Sequence, residues 1–267
     1  MSCATTTSNG RNGTWTGEGR EPRPKPVPRT RAAVGRHGRD PALRMKQAGA
    51  PVMPGTLKES GSVRTYLPGC TVVRMATDHF ADDPRTNLER MLAGDLYIAD
   101  DPAIARRQQQ AMRLAARYQA AHLEDPAKAR PILEELLASA GEDVEVRPPL
   151  YVDYGSNITI GARTFVNYNL TALDVARITI GEDCQIGPNV QLLTPTHPLE
   201  PQLRRDKLEA ALPITVGDNV WLGGGVIVCP GVTIGDNSVI GAGSVVTKDI
   251  PAGVVAVGNP ARPIRHL

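Results

Sequence analysis

Long apolar runs are missing from this 267-residue chain, and aromatic rings are scarce. No stretch approaches the roughly 20 apolar residues needed to cross a bilayer, so a membrane-spanning helix is not expected. The first residues are polar, with no basic start leading into an apolar stretch, so no secretory leader is expected either. There are two Phe and two Trp, yet 41% of residues are hydrophobic. The core must therefore be built from Val, Ile, Leu and Ala, and it must be narrow. The four cysteines (Cys3, Cys70, Cys184 and Cys229) stand far apart, with no CxxC and no Cys/His cluster. That spacing predicts no metal site, and free thiols fit a cytoplasmic protein.

Glycine and proline are plentiful, at 26 and 23 residues, which favours turns over long helices. The formal net charge of +2 conceals a split. Residues 1–74 carry 13 Lys+Arg against 4 Asp+Glu, and residues 75–267 carry 17 against 24. The basic segment includes "REPRPKPVPRTRAAVGRHGR" (20–39), which is proline-rich and without apolar period. Such a composition buries too little surface to offset its ordering entropy, so 1–74 is expected to be a disordered basic tail. Three readings of it are open: an arm for nucleic acid or an acidic partner, an inert tail, or a segment preceding a true start at Met75. The scarcity of aromatics, Trp15 and Tyr66 alone, and the absence of any nucleic-acid motif weigh against the first.

Residues 75–147 are expected to form a helical cap, with helix over 85–141. Asp101-Pro102 and Asp125-Pro126 each read as a helix start, with the carboxylate at the N-cap and proline in the first turn. Pro131 is expected to begin the second helix or to bend it, and Gly141 to cap its C-terminus.

From about 148 the pattern changes. Val216, Leu222, Val228, Ile234, Ile240 and Val246 recur every six residues, and glycine follows four of them directly. An earlier register runs Ile160, Val166, Ala172, Ile178, then slips by two to Ile180, Ile186 and Leu192. A period of six fits neither a helix face nor a simple alternating strand. It fits a parallel β-helix, in which short flat strands meet at corners and successive coils stack an aliphatic residue inward. Stacked coils lie about 4.8 Å apart, so neighbouring rungs need similar bulk. Cys184 takes an inward slot, and Cys229 stands where a corner glycine is usual; both read as small structural residues.

The repeat breaks between Leu192 and Leu212, and the break contains "TPTHP" (194–198). Insertions in repeat proteins form exposed loops, often on the binding face. Pro195 and Pro198 restrict the backbone around His197. Imidazole titrates near neutrality, as a general base requires, which makes His197 the candidate catalytic residue.

Several ordered blocks accompany the repeat: "AGDLYIADDP" (93–102), "PPLYVDYGSNITIG" (148–161), "NLTALD" (169–174), "TPTHP", "PITVGDNVWLGGGVIVCPGVTIGDNSVIGAGSVVTKDIP" (213–251) and "GNPARPIR" (258–265). Over about 85–267 the chain resembles the maltose and galactoside O-acetyltransferase group of the hexapeptide-repeat acyltransferases. The resemblance implies a mainly β fold, a left-handed parallel β-helix over 148–267 with a protruding loop. It implies transfer of an acetyl group from acetyl-CoA to a hydroxyl, with His197 as general base, no covalent acyl-enzyme and no metal. It places CoA at Gly224, Ala242, Thr247, Lys248, Arg262 and Arg265, where the galactoside branch has serine at the Gly224 position. It places the acceptor at Asp153 and Asn167, with Asp174 nearby. The galactoside branch has serine at Asp153 and tyrosine at Phe165, and its helix carboxylate falls on Ala99, beside Asp100 and Asp101. It also implies a homotrimer with sites between neighbouring prisms.

Three functions follow: acetyl transfer to a sugar, the same chemistry on a specialised metabolite or antibiotic hydroxyl, and a catalytically silent repeat scaffold. His197 and the cationic C-terminal cluster argue against the last.

Overall fold

The computed structural model describes residues 79–267 and, in addition, the backbone of one short strand pair. The chain divides into two units, Met1–Thr71 and Val72–Leu267. In the first, Lys58–Glu59 pairs antiparallel with Ser62–Val63. The expectation of a disordered basic tail otherwise lies outside the described residues.

The second unit is mainly β. Its strands stack into three parallel sheets that form the sides of a prism, with five, seven and five strands. The last strand of the seven, Arg262–His266, folds back antiparallel on Val254–Val257. The predicted inward residues align rung upon rung. Ile160, Ile180, Val216 and Ile234 stack on one side, Val166, Ile186, Leu222 and Ile240 on the second, and Ala172, Leu192, Val228 and Val246 on the third. All are buried. The predicted slip of two is a corner: from Ala172 the chain takes eight residues to reach the next stacked inward residue, Ile180, two more than a plain six-residue step.

The coil begins before residue 148. Ser139–Ala140, Glu145–Val146 and Leu150–Val152 pair with Ile158–Ile160, Phe165–Val166 and Leu170–Leu173, so Ala140, Val146 and Val152 belong to the first coil. Gly141 is accordingly not a helix cap. It is a coil corner, where a Cβ would lie 2.4 Å from the Ala162 nitrogen.

Among the described residues three helices precede the coil: α1 (Asn87–Ala93), α2 (Pro102–Glu124) and α3 (Pro126–Leu136). The two Asp-Pro signals start α2 and α3 as predicted. Asp101 accepts from the Ala103 amide at 2.7 Å and Asp125 from Ala127 at 3.0 Å. Pro131 neither starts nor ends α3 but lies inside it. The helix has already begun at Pro126, and Pro131 forfeits one amide donor within it. Ala111, Leu114, Tyr118, Leu133 and Leu136 join the coil's core and close its N-terminal end.

Cys184 is fully buried, with its thiol donating to the Gly217 carbonyl at 3.0 Å. Cys229 is partly buried against the core. Both expectations of structural cysteines hold.

Candidate functional site

The break in the repeat is an excursion from one corner of the prism. At that corner the first two coils pass from Val152 to Ile158 and from Ala172 to Ile178. In the third coil the strands Gln191–Leu193 and Ile214–Val216 occupy the equivalent places, with residues 194–213 between them. Asp153, Asp174 and the His197 excursion therefore leave the same corner in consecutive coils.

Pro195–Thr196 pairs antiparallel with Leu208–Ala211, which in turn pairs with Tyr97–Ile98 from the helical cap. A short helix, α4 (Pro201–Arg205), makes the turn. His79 Nε2 meets Asp206 at 3.0 Å just after α4. Beneath the excursion Met91, Tyr97, Ile104, Tyr154, Val175 and Ala211 form a second apolar cluster. His197 itself is exposed.

Sequence reasoning missed Glu209. It is the register partner of Tyr97, hydrogen-bonds with the Tyr97 side chain and interacts electrostatically with His197. Burial raises its carboxyl above the ordinary range, while His197 and Tyr97 pull the other way. The available signal was a lone carboxylate in the short apolar stretch "LEAAL", directly before the coil resumes.

Asp153 lies in the same cluster. Burial first, then the charges of Asp174 and Glu209, push its carboxyl up to about 6, against a weak hydrogen bond from Gln108 at 3.4 Å. Asp174 lies against Asp153. It is fully buried, and its carboxylate accepts from the backbone amides of Asp153 (3.0 Å), Tyr154 (2.8 Å) and Asn157 (3.1 Å). It shapes the turn that presents Asp153 and has no face toward a ligand.

The remaining expected residues lie elsewhere on the prism. Asn167, Gly224 and Ala242 line one groove of about 430 Å³ along the seven-stranded side, with Phe165, Pro188 and Trp221. Its lining includes the glycines at 187, 223, 224 and 241, packed against neighbouring coils. A Cβ at Gly187 would lie 2.6 Å from the Gly224 nitrogen, and one at Gly223 would lie 2.5 Å from that of Ala242. Neither His197 nor Asp153 lines this groove in its own chain. Thr247 and Lys248 are exposed after the strand Val245–Val246, and Arg262 and Arg265 are exposed on the final strand. Among the described residues no group of His, Cys, Asp or Glu is arranged to hold a metal ion, and no helix is long and apolar enough to cross a membrane.

Comparison with known proteins accords with this layout. Residues 90–141 match the maltose acetyltransferase hexapeptide capping motif, and 213–248 match the bacterial transferase hexapeptide (six repeats). The chain is 44% identical to galactoside O-acetyltransferase of Escherichia coli K12 over 179 residues, which are 67% of this chain and 88% of that protein. It superimposes on a maltose O-acetyltransferase from Clostridium difficile with a TM-score of 0.67, at 44% identity, covering 68% of this chain and 98% of the other. It superimposes on a galactoside acetyltransferase in complex with coenzyme A with a TM-score of 0.65, at 43% identity, covering 68% and 91%. The capped coil, its single excursion and these relatives together establish that the chain belongs to the hexapeptide-repeat acetyltransferases of the maltose/galactoside O-acetyltransferase type.

Proposed function

We propose that the chain moves an acetyl group from acetyl-CoA directly onto a hydroxyl of a sugar, as a cytoplasmic homotrimer, with His197 as general base. The observation that carries this reading is the excursion. It projects an exposed imidazole from the corner that also holds Asp153, and it carries a half-buried carboxyl, Glu209, within electrostatic range of that imidazole.

Acetyl-CoA supplies the thioester. The groove with Asn167, Gly224 and Ala242 suits an extended pantetheine arm, because the glycines in its lining add no side chain to obstruct it. Thr247, Lys248, Arg262 and Arg265 offer a hydroxyl and cations for the phosphates. Arginine binds them as a fork and lysine as a point charge.

For the acceptor, Asp153 and Asn167 supply oxygen and amide partners for sugar hydroxyls. Asp174 fixes the turn that holds Asp153 rather than touching the sugar. His197 takes the proton from the acceptor hydroxyl as its oxygen bonds to the acetyl carbon. The carbon–sulfur bond breaks, and the imidazolium returns the proton to the departing thiolate. A carboxylate at Glu209 favours the imidazolium that forms between the two transfers.

His197 does not line the groove of its own chain, so the groove and the excursion are completed by neighbouring copies. Three-fold closure allows such a heterologous contact to close into a ring.

The test is thiol release from acetyl-CoA by the full chain against glucosides, galactosides and maltose, with products weighed by mass spectrometry. A product heavier by one acetyl group on a hydroxyl supports the reading. Absence of release with every sugar overturns it.

A further inference from the structure

His197 is the first residue past the end of a strand. The ladder of the excursion stops at Thr196, paired with Ala210, and α4 begins at Pro201. Residues 197–200 bridge the two. Among the described residues, no backbone group of His197, Pro198 or Leu199 takes part in a backbone–backbone hydrogen bond. Leu199 is 94% exposed, so packing on its own chain does not hold the segment either.

A side chain holds it instead. One guanidinium nitrogen of Arg204, Nη1, donates to the Pro198 carbonyl at 2.7 Å and to the Leu199 carbonyl at 2.6 Å. Hydrogen bonds from a charged donor are short and strong, and the planar guanidinium loses little freedom in making them. The helix that carries Arg204 is itself tied down. At its start the Glu200 carboxylate accepts from the Leu203 amide at 2.7 Å. Just past its end Asp206 accepts from Gln202 at 2.8 Å and meets His79 at 3.0 Å. The two carbonyls directly after His197 are thus fastened, through Arg204, to an anchored turn.

We propose that Arg204 is a positioning residue for acetyl transfer. The strand ladder fixes the chain on the N-terminal side of His197, and Arg204 fixes it on the C-terminal side. Together they decide where the imidazole stands when the excursion meets its acceptor. Arg204 acts through the backbone of 198 and 199 and touches no reacting atom. The inference rests on the acetyl-transfer reading above and adds to it the residue that aims its base.

The experiment measures kcat and KM of the full chain, with acetyl-CoA and its best sugar acceptor across neutral pH, in the parent, Arg204→Met and Arg205→Met. Arg205 lies on the same helix and bonds only to the Gln202 side chain, at 3.2 Å, so its variant removes an equal charge without releasing the carbonyls. A misplacement of about 1 Å can cost 10²-fold in rate, so Arg204→Met should lower kcat by about 10- to 100-fold. KM for acetyl-CoA should stay within a few-fold, and the midpoint of the pH profile should not move. Arg205→Met should keep kcat within a few-fold of the parent. Parental kcat in Arg204→Met overturns the proposal, as does an equal loss in Arg205→Met. A shifted pH midpoint would make Arg204 an electrostatic partner of the imidazole, and a changed oligomeric state would make it an assembly residue; either result also overturns it. If the parent turns over no sugar, the acetyl-transfer reading fails separately, and chymotrypsin cleavage after Leu199 still reads the clamp. Cleavage faster by about threefold or more in Arg204→Met supports it, and equal rates refute it.

Discussion

Tyr97 and Glu209 face each other across an antiparallel strand pair and hydrogen-bond through their side chains. One comes from the helical cap and the other from the excursion, so this pair ties the excursion to the rest of the chain. It also holds the Glu209 carboxyl within electrostatic range of His197. Two substitutions separate these roles. Glu209→Gln retains hydrogen-bonding capacity and removes the charge, and should lower kcat by about tenfold or more with little change in Tm. Tyr97→Phe keeps the charge and removes one hydrogen bond, and should cost about 1 kcal/mol in denaturant unfolding with a smaller effect on kcat. Equal kinetic losses in both would assign Glu209 a purely structural role.

Asp153 gives a pH signature. Its carboxyl is held at about 6 in the folded protein by burial and by Asp174 and Glu209. The folded state therefore binds the proton more tightly than the unfolded chain. This group's contribution is most favourable below about pH 4, is lost as pH rises toward 6 and stays unfavourable above. Asp153→Asn should remove that loss. The variant should gain on the order of 1–2 kcal/mol over the parent at pH 7, after allowance for solvent screening, and little at pH 4. Unfolding curves at the two pH values check it, and a gain of the same size at both would contradict the cause assigned to the shift.

A site shared between copies predicts complementation. His197→Ala removes the base, and Gly224→Trp obstructs the groove on the other side of the prism. Each homotrimer should be nearly inactive. Co-refolded mixtures should recover a measurable fraction of parental activity, because some sites pair an intact excursion with an intact groove. Mixed trimers that form without recovery would place both parts in one chain.

The coil corners predict a contrast between glycines. At Gly181 a Cβ would lie 2.3 Å from Asp218 Oδ1 and 2.7 Å from the Gly217 backbone. Gly181→Ala should therefore cost about 1–3 kcal/mol, through a strained coil-to-coil contact. Gly224, with its nearest neighbour 3.4 Å away at Pro188, should accept alanine at far smaller cost. Thermal unfolding of the two variants measures the difference.

Much of this architecture is legible in the sequence because each rung of the prism repeats one physical demand. Val216, Leu222, Val228, Ile234, Ile240 and Val246 must all point inward, so their spacing survives in the letters. The first coil was hidden because Ala140 and Gly141 look like the end of a helix, and only pairing with Ile160 reveals them as a rung and a corner. His197 was visible because it interrupts a regular pattern. Glu209 was not, because its significance comes from Tyr97, a partner remote in sequence, and no motif records that pairing. Asp174, expected near the acceptor, lies against Asp153 but is fully buried. There the amides of Asp153, Tyr154 and Asn157, in the corner of the preceding coil, need an acceptor once they leave water.

The central claim is that the imidazole of His197 carries the proton in a direct transfer. It is tested by kcat for acetyl transfer in His197→Ala, using the best acceptor and saturating acetyl-CoA, with CoA binding followed separately by calorimetry. The account predicts that kcat falls about 10²- to 10⁴-fold while CoA affinity is retained. A kcat within a few-fold of the parent would contradict it.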